Sequence, residues 1–460
     1  MNLHRMLAER AEAGRPLRAG LIGAGKFGSM FLAQARTTPG MHVLGIADLD
    51  AGRAERALAE TGWPREQGVA ASFAAALETG ATHITDDAEA LIAAPGLDVV
   101  IDATGDAAAG IGHVLACCRE GRHVVMVNVE ADALAGPLLA RRAEEAGILY
   151  SLAYGDQPAL ICELVDWARA CGFEVAAAGK GTLYMPEFTV STPDTVWGHY
   201  GIEPERARSS GLNTKMFNSF LDGTKSAIEM TAVANATGLA PAPGGLDFQS
   251  VAPDELARTL IPTEDGGTLH HMGQVEVVSS RRRDGTDLAA DLRWGVYVTF
   301  SAASDYVEAC FVDYGLTTDG TGRYSALWRP YHLIGLELGI SVASVVLRGE
   351  PTGCASGFSA DAAATAKRPL ATGEVLDGEG GFTVWGRRMP AADSLAAGAL
   401  PIGLAHGVRL RNPVAAGETV RFADVDIDEN AEAVRFRRQM EAAFPPPEDT
   451  ARPSAIERRA

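Results

Sequence analysis

The segment 212–229, LNTKMFNSFLDGTKSAIE, holds the densest set of side chains able to do chemistry. Lys215, Asp222, Lys225 and Glu229 alternate there with Met216, Phe217, Phe220 and Leu221. On a helix, predicted over 213–237, Asp222 and Lys225 are i,i+3 neighbours and Lys225 and Glu229 are i,i+4 neighbours. An acid beside a lysine holds it charged, so that it can polarise a carbonyl or accept and release a proton. The same spacing describes a solvated face with ordinary ion pairs, and both readings stand at this point. Lys180, flanked by glycines in Gly179-Lys180-Gly181-Thr182, reads as a turn after a strand over 174–178, where backbone and ammonium could approach an oxyanion. Arg329 and His332, around Tyr331, stand at the start of a helix predicted over 331–347; guanidinium and free N–H groups there suit phosphate or carboxylate. His270 and His271 read as a polar loop.

These groups need elements to hold them and a partner to react with. Residues 20–28, GLIGAGKFG, place Gly23, Gly25 and Gly28 in a G-x-G-x-x-G turn between an apolar run and a helical pattern. The first glycine makes the turn, the second lets backbone approach a pyrophosphate, and the third lets the helix pack on its strand. Lys26 and Phe27 lie inside the turn. A second strand, 42–48, ends in Asp48, about 20 residues after Gly28, where an acid binds adenine-ribose hydroxyls. Asp48 would repel a 2′-phosphate, which favours NAD; Arg53 could offset it only by swinging toward the ribose, so NADP stays open. Thr104 and Gly105 close the strand at 97–103, and Asn128 closes the one at 122–129. Glu130 and Asp132 follow at a strand end that faces the crevice of a doubly wound sheet; helix N-terminal acids are the alternative. Glu130 could hold a substrate hydroxyl or a divalent metal.

The pattern along the chain gives an α/β fold class: a Rossmann doubly wound parallel sheet, then an α+β catalytic and dimerisation domain, then a small all-β module. The expected borders are 1–154, 155–365, 366–430 and a frayed tail at 431–460. Further predicted helices cover 111–120, 131–146 and 156–170, with strands at 148–152, 274–279, 295–300 and 306–311. An insertion at 61–87 carries a helix in ASFAAALETG.

The 460 residues carry 40 basic and 59 acidic side chains, a net charge of −19, which disfavours nonspecific binding to nucleic acid or anionic membrane. Apolar residues at 47% and charged residues at 22% are an ordinary globular profile. The six cysteines form no C-x-x-C pair and no zinc spacing, as expected of reduced thiols in a cytoplasmic protein. The N-terminus lacks a signal-peptide core, and the apolar run 333–347 is too short to span a bilayer.

Together, GLIGAGKFG (20–28), VVIDATG (99–105), VNVEAD (127–132), AYGDQPAL (153–160), GKGT (179–182), STPDTVWG (191–198), LNTKMFNSFLDGTKSAIEM (212–230), RPYHLIGLELGISV (329–342), LPIGLAHG (400–407) and NPVAAGETV (412–420) resemble a known family. They look like the homoserine-dehydrogenase-like oxidoreductases with a C-terminal SAF domain, and within these are similar to the DXR-like 1-deoxy-D-xylulose-5-phosphate reductoisomerases. The resemblance covers roughly residues 15–430. It implies an NAD(P)-dependent enzyme moving hydride to or from a small polyhydroxylated carbonyl compound, such as a sugar acid or sugar phosphate, with or without rearrangement. It implies Lys225 as proton donor or acceptor, Asp222 as its orienting acid, and Lys180, Lys215 and Glu130 as further catalytic groups. Arg329, His332, Tyr331 and Asn213 would bind an anionic substrate, and the protein would form a homo-oligomer. The chain departs from homoserine dehydrogenases at Asn128-Val129-Glu130, where those have Asn-Lys. The alternatives are a plain alcohol dehydrogenase and a non-catalytic dinucleotide sensor.

Overall fold

The computed structural model describes residues 2–64, 69–209 and 211–445. The described residues divide into two compact units: those of 1–163 with 332–356 and 435–440, and those of 164–331 with 357–434 and 441–445.

The first unit is built on six parallel strands, β1 (Leu17–Ile22), β2 (Met41–Ala47), β3 (His83–Thr85), β4 (Val99–Asp102), β5 (His123–Met126) and β6 (Tyr150–Leu152), in the order 3-2-1-4-5-6. That order is the dinucleotide-binding one. Strands such as β4, VVID, are buried along their whole length because helices cover both faces of the sheet. Short polar side chains start the helices: Ser72, Asp87, Asp106 and Asn128 each accept the backbone N–H three residues on. The helix Phe73–Thr79 lies in the expected insertion, of which residues 65–68 fall outside the described set.

One end of this unit differs from the expectation. The apolar run 331–347 is not one helix. Strand pairing persists to Arg329, Pro330 follows, and Gly335 turns with φ 71 where an added Cβ would lie 2.6 Å from the Phe27 carbonyl oxygen. Helical structure begins only at Gly339–Ala343 and widens into a π-helical turn at Ser344–Arg348. Leu338, Val342 and Val345 nevertheless reach the core, beside Leu3 and Leu7 of the helix Leu3–Glu12. The frayed tail expected from 431 is also corrected: Glu432–Ala443 is a helix, and fully buried Arg437 donates to the Leu134 carbonyl at 3.0 Å. Residues 446–460 lie outside the described residues.

The second unit centres on a mixed sheet of β7 (Glu174–Thr182), β8 (Ala240–Pro241), β9 (Gln249–Ser250), β10 (Gln274–Ser279), β11 (Val296–Ser301) and β12 (Tyr324–Arg329). β7 pairs parallel with β10 and antiparallel with β11. The segment 306–311, read as a strand, is inside the helix Asp305–Asp313; Ser304 caps it, and Asp305 and Glu308 complement its dipole. The helix expected over 213–237 is two helices, Thr214–Leu221 and Thr224–Thr237, broken at Gly223 with φ 90. Only glycine takes that conformation without strain.

The β-rich segment 366–430, expected as a module of its own, folds within the second unit. Here β13 (Ala360–Ala366) pairs with β15 (Val384–Pro390), and β16 (His406–Leu410) pairs with β14 (Val375–Asp377) on one side and β17 (Val425–Asp426) on the other. The helix Thr224–Thr237 packs on this β13–β15 pair. Thr224 Oγ1 accepts the Gly386 N–H at 2.8 Å, and Asn235 accepts the N–H groups of Ser359 and Ala360. Among the described residues no helix is long and apolar enough to cross a membrane.

Candidate active site

In the first unit the glycine turn has the geometry its spacing implies. A Cβ on Gly23 would lie 2.7 Å from the Ala103 carbonyl oxygen, and one on Gly28 would lie 2.5 Å from that of Gly23. A Cβ on Gly25 would meet nothing within 4 Å. Gly25 is the N-cap of the helix Lys26–Ala35 and offers no side chain, so the first N–H groups of that helix face open space. Lys26 is exposed beside them, and Phe27 turns inward against the core. Asp48, just past β2, is fastened to the turn: its carboxylate accepts the Ala24 N–H at 2.8 Å and the Asp50 N–H at 2.9 Å. Arg53 already stands beside it, 3.7 Å away.

The neighbouring strand ends are tied together by a buried network that sequence reading missed. Asp102, fully buried at the end of β4, accepts Thr104 N–H at 3.0 Å, Thr104 Oγ1–H at 2.7 Å and His113 Nδ1 at 2.8 Å. Asn128 donates to Thr104 Oγ1 at 3.1 Å and to the Asp106 carbonyl at 2.7 Å. Thr104 and Gly105 are left exposed at the crevice rim. The acid in VVIDATG, at the last buried strand position, was the available signal.

Glu130 is half-buried in the first turn of the helix Val129–Glu145, where an acid complements the dipole. Asp132 is buried completely and accepts the Tyr150 hydroxyl at 2.8 Å; burial pushes its carboxyl up to about 7. Among the described residues no three His, Cys, Asp or Glu side chains are grouped to hold a metal ion, so Glu130 has no ligand set around it.

In the second unit the lysine-rich segment is sorted by its surroundings. Lys180 lies inside β7, not in a turn after it, and forms a buried ion pair with Glu229. Glycines on either side allow this, since a Cβ at Gly179 or Gly181 would collide with the Glu276 or Leu292 backbone. Asp222 pairs at 2.7 Å with Lys367, which also donates to the carbonyls of Ser191 and Gly381. Burial raises the Asp222 carboxyl from its ordinary value, and Lys367 pulls it back in part. Nothing in the local sequence around Asp222 pointed to a partner 145 positions on.

Lys225, in the first turn of the helix Thr224–Thr237, is half-buried where the residues around it are buried. Lys215 is exposed and donates to the Asp377 carbonyl at 3.2 Å. Asn213 is the N-cap of the helix Thr214–Leu221. Arg329 ends β12 and lies over the Tyr331 ring at 5.8 Å. The helix N-terminus expected to join Arg329 and His332 into an anion site is absent, because no helix starts there.

Comparison with known proteins agrees with both halves. Residues 20–151 match the family model described as homoserine dehydrogenase, NAD binding domain. Residues 155–338 match the one described as oxidoreductase DRL, catalytic domain. No curated protein matches the chain. Among solved structures, an NAD binding oxidoreductase from Klebsiella pneumoniae is 22% identical over 38% of this chain and 45% of its own, with a TM-score of 0.27. A biliverdin reductase from Synechocystis, in complex with biliverdin and NADP+, is 17% identical over 37% and 48%, at 0.26. The WlbA dehydrogenase from Bordetella pertussis, in complex with NADH and UDP-GlcNAcA, is 19% identical over 37% and 47%, at 0.26. The chain thus spans less than half the length of these structures. Residues 20–151 are similar to an NAD-binding domain of the homoserine-dehydrogenase type, and residues 155–338 to an oxidoreductase catalytic domain.

Proposed function

We propose that the protein is an NAD(P)-dependent oxidoreductase that moves hydride to or from a small polyhydroxylated carbonyl compound, a sugar acid or sugar phosphate. The observation that carries this reading is the glycine turn. Gly25 leaves a helix N-terminus uncapped and open, with Asp48 fixed at the adjoining strand end. A pyrophosphate fits those N–H groups, and a ribose fits the carboxylate. Gly23, Gly25, Lys26, Phe27, Gly28, Asp48, Thr104, Gly105 and Asn128 form the cofactor set.

A bound nicotinamide supplies or accepts the hydride. Lys225 holds the proton that the substrate oxygen gains or loses. Lys180 and Lys367 form buried pairs with Glu229 and Asp222, and in this reading they position the segment around Lys225. Arg329, Tyr331, His332 and Asn213 remain candidates for substrate contact, and Glu130 for a substrate hydroxyl. The resemblance to reductoisomerases adds a carbon-skeleton rearrangement as the finer reading, with the segment 366–430 as a SAF-like module and the protein as a homo-oligomer.

The test is titration of NAD(H) and NADP(H) into the full chain, followed by turnover on a polyol, hydroxy-acid and sugar-phosphate panel. Saturable binding of one dinucleotide is expected, with turnover abolished in Lys225→Ala while binding is kept. Binding of neither dinucleotide would sink the reading. Arg53 beside Asp48 makes the NADP arm informative, because a guanidinium there can face a 2′-phosphate.

A further inference from the structure

The second unit holds a small pocket of about 50 Å³ between β15, the loop 244–248 and the start of the helix Thr224–Thr237. Its walls are the rings of Tyr184, Phe248 and Trp385 and the backbone of Gly223 and Gly245; Arg388 lines it as well. Tyr184 and Phe248 are stacked with centroids 3.8 Å apart, which makes one wall a flat apolar face.

Arg388 is the unexplained group. It is 1% exposed, yet only its Nη2 finds an acceptor, the Gly245 carbonyl at 2.8 Å. Its Nε and Nη1 have none. Glu276 and Asp247 act on the guanidinium electrostatically, but the Glu276 carboxylate is engaged elsewhere. It accepts the N–H of Asp247 at 3.0 Å, that of Val277 at 2.8 Å and Gln274 Nε2 at 3.2 Å. A buried guanidinium with idle donors is costly unless something fills them.

We propose that this pocket binds the monocarboxylate end of a small organic acid. A carboxylate is planar, accepts only, and matches a guanidinium edge. Its short carbon stem would lie against the Tyr184 and Phe248 rings. One water needs roughly 10–15 Å³ of such space, so the pocket takes a carboxylate with a carbon or two. A doubly charged phosphate would bring excess charge beside Glu276 and Asp247. Gly223 and Ala227 bracket Lys225 on the same helix, so an acid held here sits on the element that carries the proposed proton donor.

The experiment is calorimetric titration of the full chain with acetate, and with acetamide as the neutral control, in the absence of dinucleotide. Its outcome is therefore independent of the oxidoreductase reading. Saturable acetate binding is expected, with acetamide at least tenfold weaker and Arg388→Met at least tenfold weaker for acetate. Absence of saturable binding, or equal affinity in a folded Arg388→Met, overturns the proposal. Should Arg388→Met not fold, Trp385→Phe decides. A fluorescence change on acetate binding that is lost in Trp385→Phe, while the heat of binding persists, places acetate in this pocket. A change that is absent from the unsubstituted protein or survives the substitution overturns it.

Discussion

Asp132 shows how far burial alone can move a single residue. One carboxylate oxygen accepts the Tyr150 hydroxyl and the other has no partner, at complete burial. Desolvation raises the carboxyl to about 7, against the modest opposing effect of the tyrosine. The sign follows from proton counting. Between the unfolded value near 4 and the folded value near 7, the folded state holds a proton that the unfolded state has released. Stability contributed by this group is therefore present at low pH, falls as pH rises through that window, and is level above it. Asp132→Asn keeps an acceptor for Tyr150 and cannot titrate. Urea midpoints measured from pH 4 to pH 8 should show a shallower decline in the variant, with the gap over the unsubstituted protein widest at pH 8. Parallel curves would mean that Asp132 is charged in the folded state.

At the scale of elements, the break at Gly223 separates Asp222 from the helix that carries Lys225. A continuous helix through 213–237 would put Asp222 and Lys225 on one face. The turn instead lets Asp222 end one helix, accept the Thr224 N–H at 2.9 Å and pair with Lys367. A Cβ at Gly223 would be only in van der Waals contact with Phe248, Tyr184 and Trp385, so the cost of Gly223→Ala is conformational, about 1–2 kcal/mol at φ 90. A fall in thermal midpoint of a few degrees should accompany a loss of turnover, since the first turn with Lys225 is displaced. Unchanged stability would show that the turn relaxes. The glycine in LDG was visible in the sequence, but a helix tolerates one glycine and the flanking periodicity continues across it. The strands of the first unit other than β3, a short half-buried HIT inside the expected insertion, were legible because a parallel sheet buries continuous apolar runs, and β10 was legible for the same reason. The helix Asp305–Asp313 was not, because YVEACF carries the β-prone Tyr306, Val307 and Phe311 and the deciding signal, Ser304 with Asp305, is one cap. The glycine turn and Asp48 were readable because they are local. Lys367 and Arg388 were not, because their roles come from partners far away in the chain.

For the whole molecule, the consequence is that residues 357–434 are built into the second unit. Lys367 bridges Asp222, Ser191 and Gly381, three segments that no local pattern connects. Both charges are nearly inaccessible to solvent, and a buried pair costs desolvation that only its mutual contact offsets. Lys367→Met removes one charge and leaves Asp222 buried without it, which should cost about 3–5 kcal/mol in urea unfolding. The double variant Asp222→Asn with Lys367→Met removes both charges and should recover a large part of that loss. The exposed pair Arg56–Asp50 is the control. Arg56→Ala should leave the urea midpoint nearly unchanged, because water already solvates both partners. If Lys367→Met were as mild as Arg56→Ala, Asp222 would be protonated in the folded protein. The lysine would then act through its two carbonyl bonds alone, and turnover, which the proposed function rests on Lys225, would be retained in the same variant.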